Sequence, residues 1–221
     1  MTGLAPGHHV MLIDGRSANR SGKSYGVFEV GVDVAENITN VLGYTIWMTA
    51  LDTAHAVTIA SPTVSETVVT TPLLPGLELH LPPRTVIRDH DGHAVTQISI
   101  TPVPLAQPPF PLPRGVDVPI YFTIQPGAAY LETWANGGAR LVYPNTMGYL
   151  PGSRIQFWNY DADNKGWFVY GHGTVLPNKR SILPDPTVEI YEFTGAMVGN
   201  LGNVPGDPPT PGGRRTVNQS T

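Results

Sequence analysis

Residues 141–175 read LVYPNTMGYLPGSRIQFWNYDADNKGWFVYGHGTV, and this stretch decides the class of fold. Its segments 153–160 and 166–175 are rich in aromatic and β-branched side chains, which suit the packed surface of a sheet. Between them lies DADNK, whose Asp and Asn residues and following Gly are typical of a hairpin turn. The stretch therefore predicts a buried hairpin whose register is fixed by aromatic cross-strand pairs.

The aromatic side chains of this hairpin are the predicted structural core of the chain. Large rings of this kind contribute most to stability when they are buried. We therefore expect the hairpin to organise packing rather than to carry a reaction. The predicted core residues are Phe157, Trp158, Tyr160, Trp167, Phe168 and Tyr170.

The composition extends the β prediction to the whole chain. The 221 residues include 24 Gly and 23 Pro, yet 41% are hydrophobic. Gly and Pro therefore exceed their usual share of roughly 12% without reaching the level typical of disorder, which indicates many turns between short strands. Residues 25–34 (YGVFEVGVDV) alternate apolar and polar side chains, and residues 40–50 are also predicted as a strand. Together these features predict an all-β protein built as one or more antiparallel β-sandwiches.

A proline-rich segment divides the predicted organisation. Residues 101–113 (TPVPLAQPPFPLP) favour polyproline II and cannot form a central strand. We expect them to form a crossover strap between sheets, packed down by Leu105, Phe110 and Leu112, although such a run is also suited to binding an aromatic groove. This predicts a first β subdomain at 1–100, a second at 114–198, and a flexible, disordered linker or tail at 199–221 that leads to a further segment.

Several functional classes are disfavoured by the residues. Only 14% of residues are charged and the net charge is −4. No basic run is longer than a pair, the last pair being Arg214 and Arg215 near the end, so nucleic acid is not an expected partner. Cysteine is absent, which excludes disulfides and thiolate metal sites. The first residues show no signal peptide, and the most apolar segment, 41–51, is shorter than the roughly 20 residues of a membrane span. The Gly-Lys-Ser at 22–24 lacks the first Gly of a phosphate-binding loop, because Ser17 occupies that position.

Metal and catalytic patterns are incomplete. His90 and His93 flank a turn and would form a metal site only with a third ligand such as His80. Asp161 and Asp163 begin like a calcium loop, but the rest of that motif is missing and a hairpin turn is favoured. Ser61, His55 and Asp52 lack the sequence context of a Ser-His-Asp triad. Paired carboxylates for glycoside hydrolysis would need to face one cleft, but four glutamates lie on predicted exposed faces, where solvated charge is the commoner explanation. These glutamates are Glu78, Glu132, Glu189 and Glu192. We therefore predict no catalytic, cofactor or metal site.

Seven phrases in order resemble a known family. They are GLELHLPPRTVI (76–87), the run from ISITPVP to PPFPLP (98–113), VPIYFTIQPGA (118–128), ARLVYPN (139–145), PGSRIQFWNYD (151–161), GWFVYGHGTV (166–175) and YEFTGAM (191–197). They resemble the β-rich region that precedes the repeats in RHS/YD-repeat proteins, the bacterial relatives of teneurins. The YD repeats themselves and a toxin segment are not found in this sequence.

The resemblance implies a non-catalytic structural module of an exported, toxin-delivering polypeptide, secreted or at the cell surface, that braces or plugs the repeat shell. Its implied partner is the rest of that polypeptide or another protein, and self-association through strand edges stays open. Two alternatives remain. One is a cell-surface adhesion or carbohydrate-binding module using aromatics such as Trp134, Tyr130 and Tyr149. The other is an autoproteolytic β-sandwich, because residues 79–81 are similar to those of ankyrin-type and netrin-receptor-type domains.

Overall fold

Fifteen strands and one short 3₁₀ helix make up the regular structure of the part of the chain described by the computed structural model, residues 3–113, 115–132 and 137–200. The chain is all-β, as predicted, and the described residues contain no α-helix. The strands are β1 (Gly7–Asp14), β2 (Val27–Val34), β3 (Val57–Thr58), β4 (Thr67–Thr70), β5 (Glu78–Leu81), β6 (Ile87–Arg88), β7 (Gln97–Pro102), β8 (Asp117–Gln125), β9 (Ala129–Leu131), β10 (Arg140–Pro144), β11 (Arg154–Asp161), β12 (Gly166–Val175), β13 (Ser181–Pro184), β14 (Glu192–Phe193) and β15 (Gly195–Asn200), and the 3₁₀ helix η1 spans Gly15–Ala18.

The strands form three antiparallel sheets. Ten strands make a large sheet in the order β3-β7-β8-β15-β11-β12-β13-β10-β5-β4, and β14, β9 and β6 make a small one. β1 and β2 form a separate two-stranded ribbon. Side chains of the small sheet, including Leu131 and Phe193, join the same buried cluster as the inner face of the large sheet, so these two sheets pack as a sandwich around an inner core.

A second, smaller core lies on the other face of the large sheet. Ile155 and Phe157 of β11 belong to the inner core, whereas Trp158 and Tyr160 belong to this outer core. Successive side chains of a strand point to opposite faces, which explains the division. The ribbon covers the outer core together with the segment 35–50, and we refer to residues 3–50 as the outer layer.

The proposed boundary between residues 1–100 and 114–198 does not separate two hydrophobic cores. β5 pairs with β10, and β7 pairs with β8, so both halves contribute neighbouring strands to the large sheet. The inner core likewise contains residues from both halves, among them Leu79 and Leu141. Long-range strand pairing of this kind leaves no trace in local composition.

The proline-rich strap does not cross between sheets. It leaves β7 and leads to β8, which are hydrogen-bonded neighbours in one sheet, so it is a long excursion over the outer face. Phe110 packs down as expected and is 1% exposed, and Leu112 packs partly against the outer core. Leu105 does not, because it is 51% exposed in a turn closed by the Gln107 N–H donating to the Pro104 carbonyl.

The strand predicted at 40–50 is wrong. The segment is irregular except for a single bridge between Ala50 and Tyr25. The backbone N–H of Trp47 donates to the Pro108 carbonyl oxygen at 3.4 Å. Its neighbour is the strap, whose prolines lack the N–H groups that a ladder needs. Within the predicted tail, residues 199 and 200 end β15, and residues 201–221 lie outside the described residues.

Candidate functional site

The aromatic hairpin forms where the sequence predicts it. β11 and β12 pair with Tyr160 opposite Trp167 and Asn159 opposite Phe168, and a bulge follows Phe157. Phe157 and Tyr160 are buried. Trp158, Trp167, Phe168 and Tyr170 are half-buried, with Trp158 and Trp167 packed against the outer core and Tyr170 against the inner core. Five of the six predicted aromatic residues are therefore divided between two cores, whereas Phe168 belongs to neither cluster and has Lys165 Nζ 4.4 Å from its ring centroid.

The strap is held against the hairpin by rings. Phe110 stacks on Tyr160 with centroids 3.8 Å apart and meets Trp167 edge-on at 5.4 Å. The Trp167 indole N–H donates to the Pro111 carbonyl at 2.9 Å. These contacts give the half-buried Trp a polar partner at its exposed edge, which is the usual arrangement for this side chain.

The ribbon is held against the turn of the same hairpin by polar contacts. His8 Nε2 lies 2.7 Å from the Ala162 carbonyl oxygen, and Nδ1 lies 2.8 Å from Asp33 Oδ1. Because both neighbours are acceptors, the imidazolium form satisfies both, and the Ala162 carbonyl followed by Asp33 raises the pKa of His8. The Gly31 N–H also donates to Tyr160 Oη at 3.2 Å. The ribbon is therefore docked through a few directional bonds.

The segment that resembles a calcium loop is a hairpin turn. Asp161 Oδ1 accepts hydrogen bonds from the backbone N–H groups of Asp163 and Asn164, at 2.9 and 3.1 Å. Lys165 Nζ lies 3.8 Å from the other oxygen of Asp161, and Gly166 adopts a positive φ of 58°. The carboxylate thus closes the turn, as Asp does in such positions.

The acidic and histidine side chains that the structure brings together differ from the candidate set of His80, His90 and His93. Ligand atoms of Asp89, Asp91 and His93 lie within 4.8 Å of one another in the turn after β6. His80 is on β5, where its two ring nitrogens contact Glu66 and Glu78 at 2.9 and 3.0 Å. Asp91 also accepts from the Arg16 guanidinium at 2.9 Å, so a cation of the protein already occupies this carboxylate.

Of the Ser-His-Asp candidates, only one pair forms. His55 Nδ1 lies 2.9 and 2.8 Å from the two oxygens of Asp52, and the Asp52 backbone N–H donates to Thr101 Oγ1. Among the described residues Ser61 makes no hydrogen bond to His55, so the pair lacks its nucleophile.

The four glutamates named above as carboxylate candidates lie at the surface. Glu132 and Glu192 are exposed, and Glu78 and Glu189 are half-exposed. Glu132 pairs with Arg88 at 2.9 Å, and Glu189 accepts from Tyr191 at 2.6 Å. These contacts hold side chains of the small sheet and its neighbourhood in place.

Sequence reasoning missed the apolar surface of the outer layer. Among the described residues sixteen large hydrophobic side chains are exposed, and seven of them belong to the short outer layer. The signal was available in residues 36–43 (ENITNVLG), where the apolar residues at 38, 41 and 42 have i, i+3, i+4 spacing in a segment too short for a stable helix. The seven are Leu4, Val10, Leu12, Ile38, Val41, Leu42 and Trp47.

The exposed apolar segment is an ordered loop. The Asn40 side chain accepts from the Ala35 N–H at 2.8 Å and donates to the carbonyls of Ala35 and Ile38 at 3.0 and 3.3 Å. Tyr44 and Met48 anchor its far end on the outer core. Val41, 82% exposed, is therefore displayed between two fixed ends.

Comparison of the chain with protein-family models, curated proteins and solved structures finds no match. Within the described residues no helix is long and apolar enough to cross a membrane.

Proposed function

We propose that the chain is a non-catalytic structural module that binds other protein through the apolar surface of its outer layer. The observation that carries the proposal is the concentration of exposed apolar side chains on this layer. The proposal takes these side chains as one surface, because an exposed apolar patch on a folded domain is typical of an interaction site. The ordered loop around Asn40 supports the same view, because a preorganised surface loses less entropy on binding.

The resemblance to the pre-repeat region of RHS/YD-repeat proteins supplies the partner in this proposal. The module would brace or plug the repeat shell of the same exported polypeptide, with the outer layer against the shell. The division of the sheet into two faces is suited to this role, because the inner core can remain intact while the outer layer makes the contact.

The test compares two equally exposed valines. A repeat-shell polypeptide is titrated with the wild-type chain, Val41→Asp and Val64→Asp by isothermal calorimetry. Val41 is 82% exposed on the outer layer, and Val64 is 87% exposed between β3 and β4. We expect Val41→Asp to weaken binding by about tenfold or more, because a charge would be buried in the interface, and Val64→Asp to leave it unchanged. No binding by the wild-type chain, or equal loss in both variants, would exclude the proposed surface.

Autoproteolysis is the less favoured alternative. Partial burial opposes the charged form of His80, but the hydrogen bonds to Glu66 and Glu78 raise its pKa, and each ring nitrogen already has a carboxylate partner. The following residue, Leu81, has no nucleophilic side chain and is fully buried. A single unprocessed mass on intact-mass measurement is expected.

The adhesion or glycan-binding alternative based on exposed aromatics is also less favoured. Tyr149 is only 2% exposed, whereas Tyr130 is 43% exposed, and Trp134 lies outside the described residues. One accessible ring among the described members of this set does not make a stacking platform.

A further inference from the structure

A small pocket lies between the outer face of the large sheet and the outer layer. Its floor strands, β7 and β8, are separated from the aromatic hairpin by β15. It has a volume of about 210 Å³. Its floor is the cross-strand pair Ser99 and Gln125 of β7 and β8, both of which are buried. Its rim carries exposed residues, including Gln97 and Thr53, so the pocket opens to solvent.

The walls of the pocket are built by close backbone approach. A side chain at Gly26 would collide with the Gln125 amide, and one at Gly127 would collide with the Val27 carbonyl. Both glycines line the pocket. The Gln125 amide is fixed in turn, because Oε1 accepts from the Gly127 N–H at 2.8 Å and Nε2 donates to Thr123 Oγ1 at 2.9 Å. The floor is therefore rigid before any ligand arrives.

One polar group on the floor is unused. Ser99 as a residue is 7% exposed, and no hydrogen bond joins its hydroxyl to any described residue. The Ser99 Oγ is not one of the fully buried unpaired polar atoms of the described residues, so it is accessible from the solvent side. Ser99 lines the pocket, and a hydroxyl group can both donate a hydrogen bond to a ligand and accept one from it.

The charges around the pocket disfavour an anionic ligand. The only Arg or Lys in the lining is Arg16, which donates to Asp14 through Nε and Nη2 and to Asp91 through Nη1, at 2.8–2.9 Å. Asp89 adds a further carboxylate to the lining. A phosphate or carboxylate would therefore meet a cation that is already paired with two carboxylates, together with the Asp89 carboxylate and the His90 ring in the lining.

The remaining lining combines an apolar side with groups that can donate and accept hydrogen bonds. Tyr25, Leu51 and Pro126 supply the apolar side, and Ser99 and Gln97 supply paired donor and acceptor capacity. The volume is below the roughly 300–1,000 Å³ of pockets for drug-sized ligands, so it suits a single small ring. A pyranose has these properties, since its ring has an apolar face of C–H groups and a hydroxylated edge.

We propose that this pocket binds one neutral monosaccharide unit, with Ser99 and Gln97 hydrogen-bonded to its hydroxyl groups and Tyr25 against its apolar face. The ligand is small and only a few hydrogen bonds hold it, so the dissociation constant is expected to be about 1 mM. This site is separate from the protein-binding surface proposed above, and either can fail without the other.

The experiment is an amide chemical-shift titration of the ¹⁵N-labelled chain by NMR. The probes are the methyl glycosides of glucose, galactose and mannose, then N-acetylglucosamine, with glucuronate and inorganic phosphate as anionic counterparts. We expect at least one neutral sugar to shift the amides of Ser99, Gly26 and Gly127, and glucuronate to bind more weakly than glucoside.

Two variants test the residues, and one serves as control. Ser99→Ala removes a hydroxyl that has no hydrogen-bond partner among the described residues, and Gln97→Ala changes an exposed side chain, so both should stay folded. Each should weaken sugar binding by about two- to tenfold, the loss expected for one hydrogen bond. Gln107→Ala, an exposed glutamine on the strap, should bind like the wild type. The proposal is overturned if no neutral sugar shifts these amides, if glucuronate binds as tightly, or if all three variants behave alike.

Discussion

The two cores on either face of the large sheet differ in what they are made of and in how they are closed. Only five of the 25 residues of the inner core are aromatic, and it lies between two sheets. Four of the eight residues of the outer core are aromatic, and it is covered by a two-stranded ribbon, an irregular segment and the strap. A sheet closes one face, and mainly loops close the other.

The two cores also differ in how the polar groups of their aromatic side chains are paired, while two further unpaired buried atoms, Arg140 Nε and Gln156 Oε1, belong to neither core. In the inner core Tyr143 Oη lies 3.2 Å from Tyr170 Oη. On the outer side Tyr121 Oη and Trp158 Nε1 are buried with no partner among the described residues. Covering a sheet with loops leaves polar groups that a ladder or a matched side chain would satisfy. The outer layer should therefore open at a lower free energy than the inner sandwich.

Loss of a ring from the inner core should have the largest effect. Phe157 is fully buried and its ring centroid lies 4.5 Å from that of Tyr143. Phe157→Ala should lower the free energy of unfolding by about 4–5 kcal/mol, the upper part of the range for this substitution, because two sheets cannot collapse into the cavity. Denaturant unfolding measures the change in free energy of unfolding, with Val64→Ala as a surface control. A smaller loss for Phe157→Ala than for Phe110→Ala would show that the inner core is not the more stable one.

Loss of a ring from the outer core should cost less. Phe110 is as buried as Phe157 but lies on the strap, which can relax. Phe110→Ala should cost about 3 kcal/mol. Amide exchange should accelerate in the ribbon and strap while inner-sheet amides keep their protection. Uniform acceleration over both faces would show that the two cores unfold as one unit.

Removing one tyrosine hydroxyl from the inner core and one from the outer core should change the free energy of unfolding in opposite directions. Tyr143→Phe should destabilise the protein by about 1 kcal/mol, because it removes a hydrogen bond and leaves the Tyr170 hydroxyl unpaired. Tyr121→Phe removes an unpaired buried hydroxyl and should be neutral or stabilising by about 1 kcal/mol. The measurement is the melting temperature of each variant relative to the wild type. An equal decrease in both variants would mean that the Tyr121 hydroxyl has a hydrogen-bond partner in solution.

The smallest effect should be the pH dependence of the ribbon contact. The pKa of His8 is raised by the Ala162 carbonyl and Asp33, so its stabilising contribution is complete below the unfolded pKa of about 6.5 and is lost as the pH rises through the folded value. The difference in melting temperature between wild type and His8→Gln should therefore be larger at about pH 5.5 than at about pH 8. In an NMR titration Asp33→Asn should lower the pKa of His8; no change would remove Asp33 from the contact.

The sequence predicted the hairpin closely because its signals are local. Predicted segments 153–160 and 166–175 became β11 and β12, and the turn residues between them are held by Asp161. The alternation at 25–34 likewise became β2. In each case the period of the side chains and the turn chemistry belong to adjacent residues, so no distant partner was needed.

Predictions that depended on a distant neighbour fared differently. The segment 40–50 has the composition of a strand, but it lies against prolines that offer no ladder. The pocket was not foreseen, because Arg16, Ser99 and Gln125 come from three separate parts of the chain.

By itself, the sequence determined that the chain is all-β, where its strongest hairpin lies, and that Phe110 of the strap packs inward, because side-chain period, turn residues and proline act over a few residues. Only the tertiary structure decided which strands are neighbours, how the aromatic rings divide between two cores, and where an unpaired hydroxyl meets a pocket. Those features arise from pairings between residues far apart in the chain, whose loop-closure cost and packing gain no local pattern records.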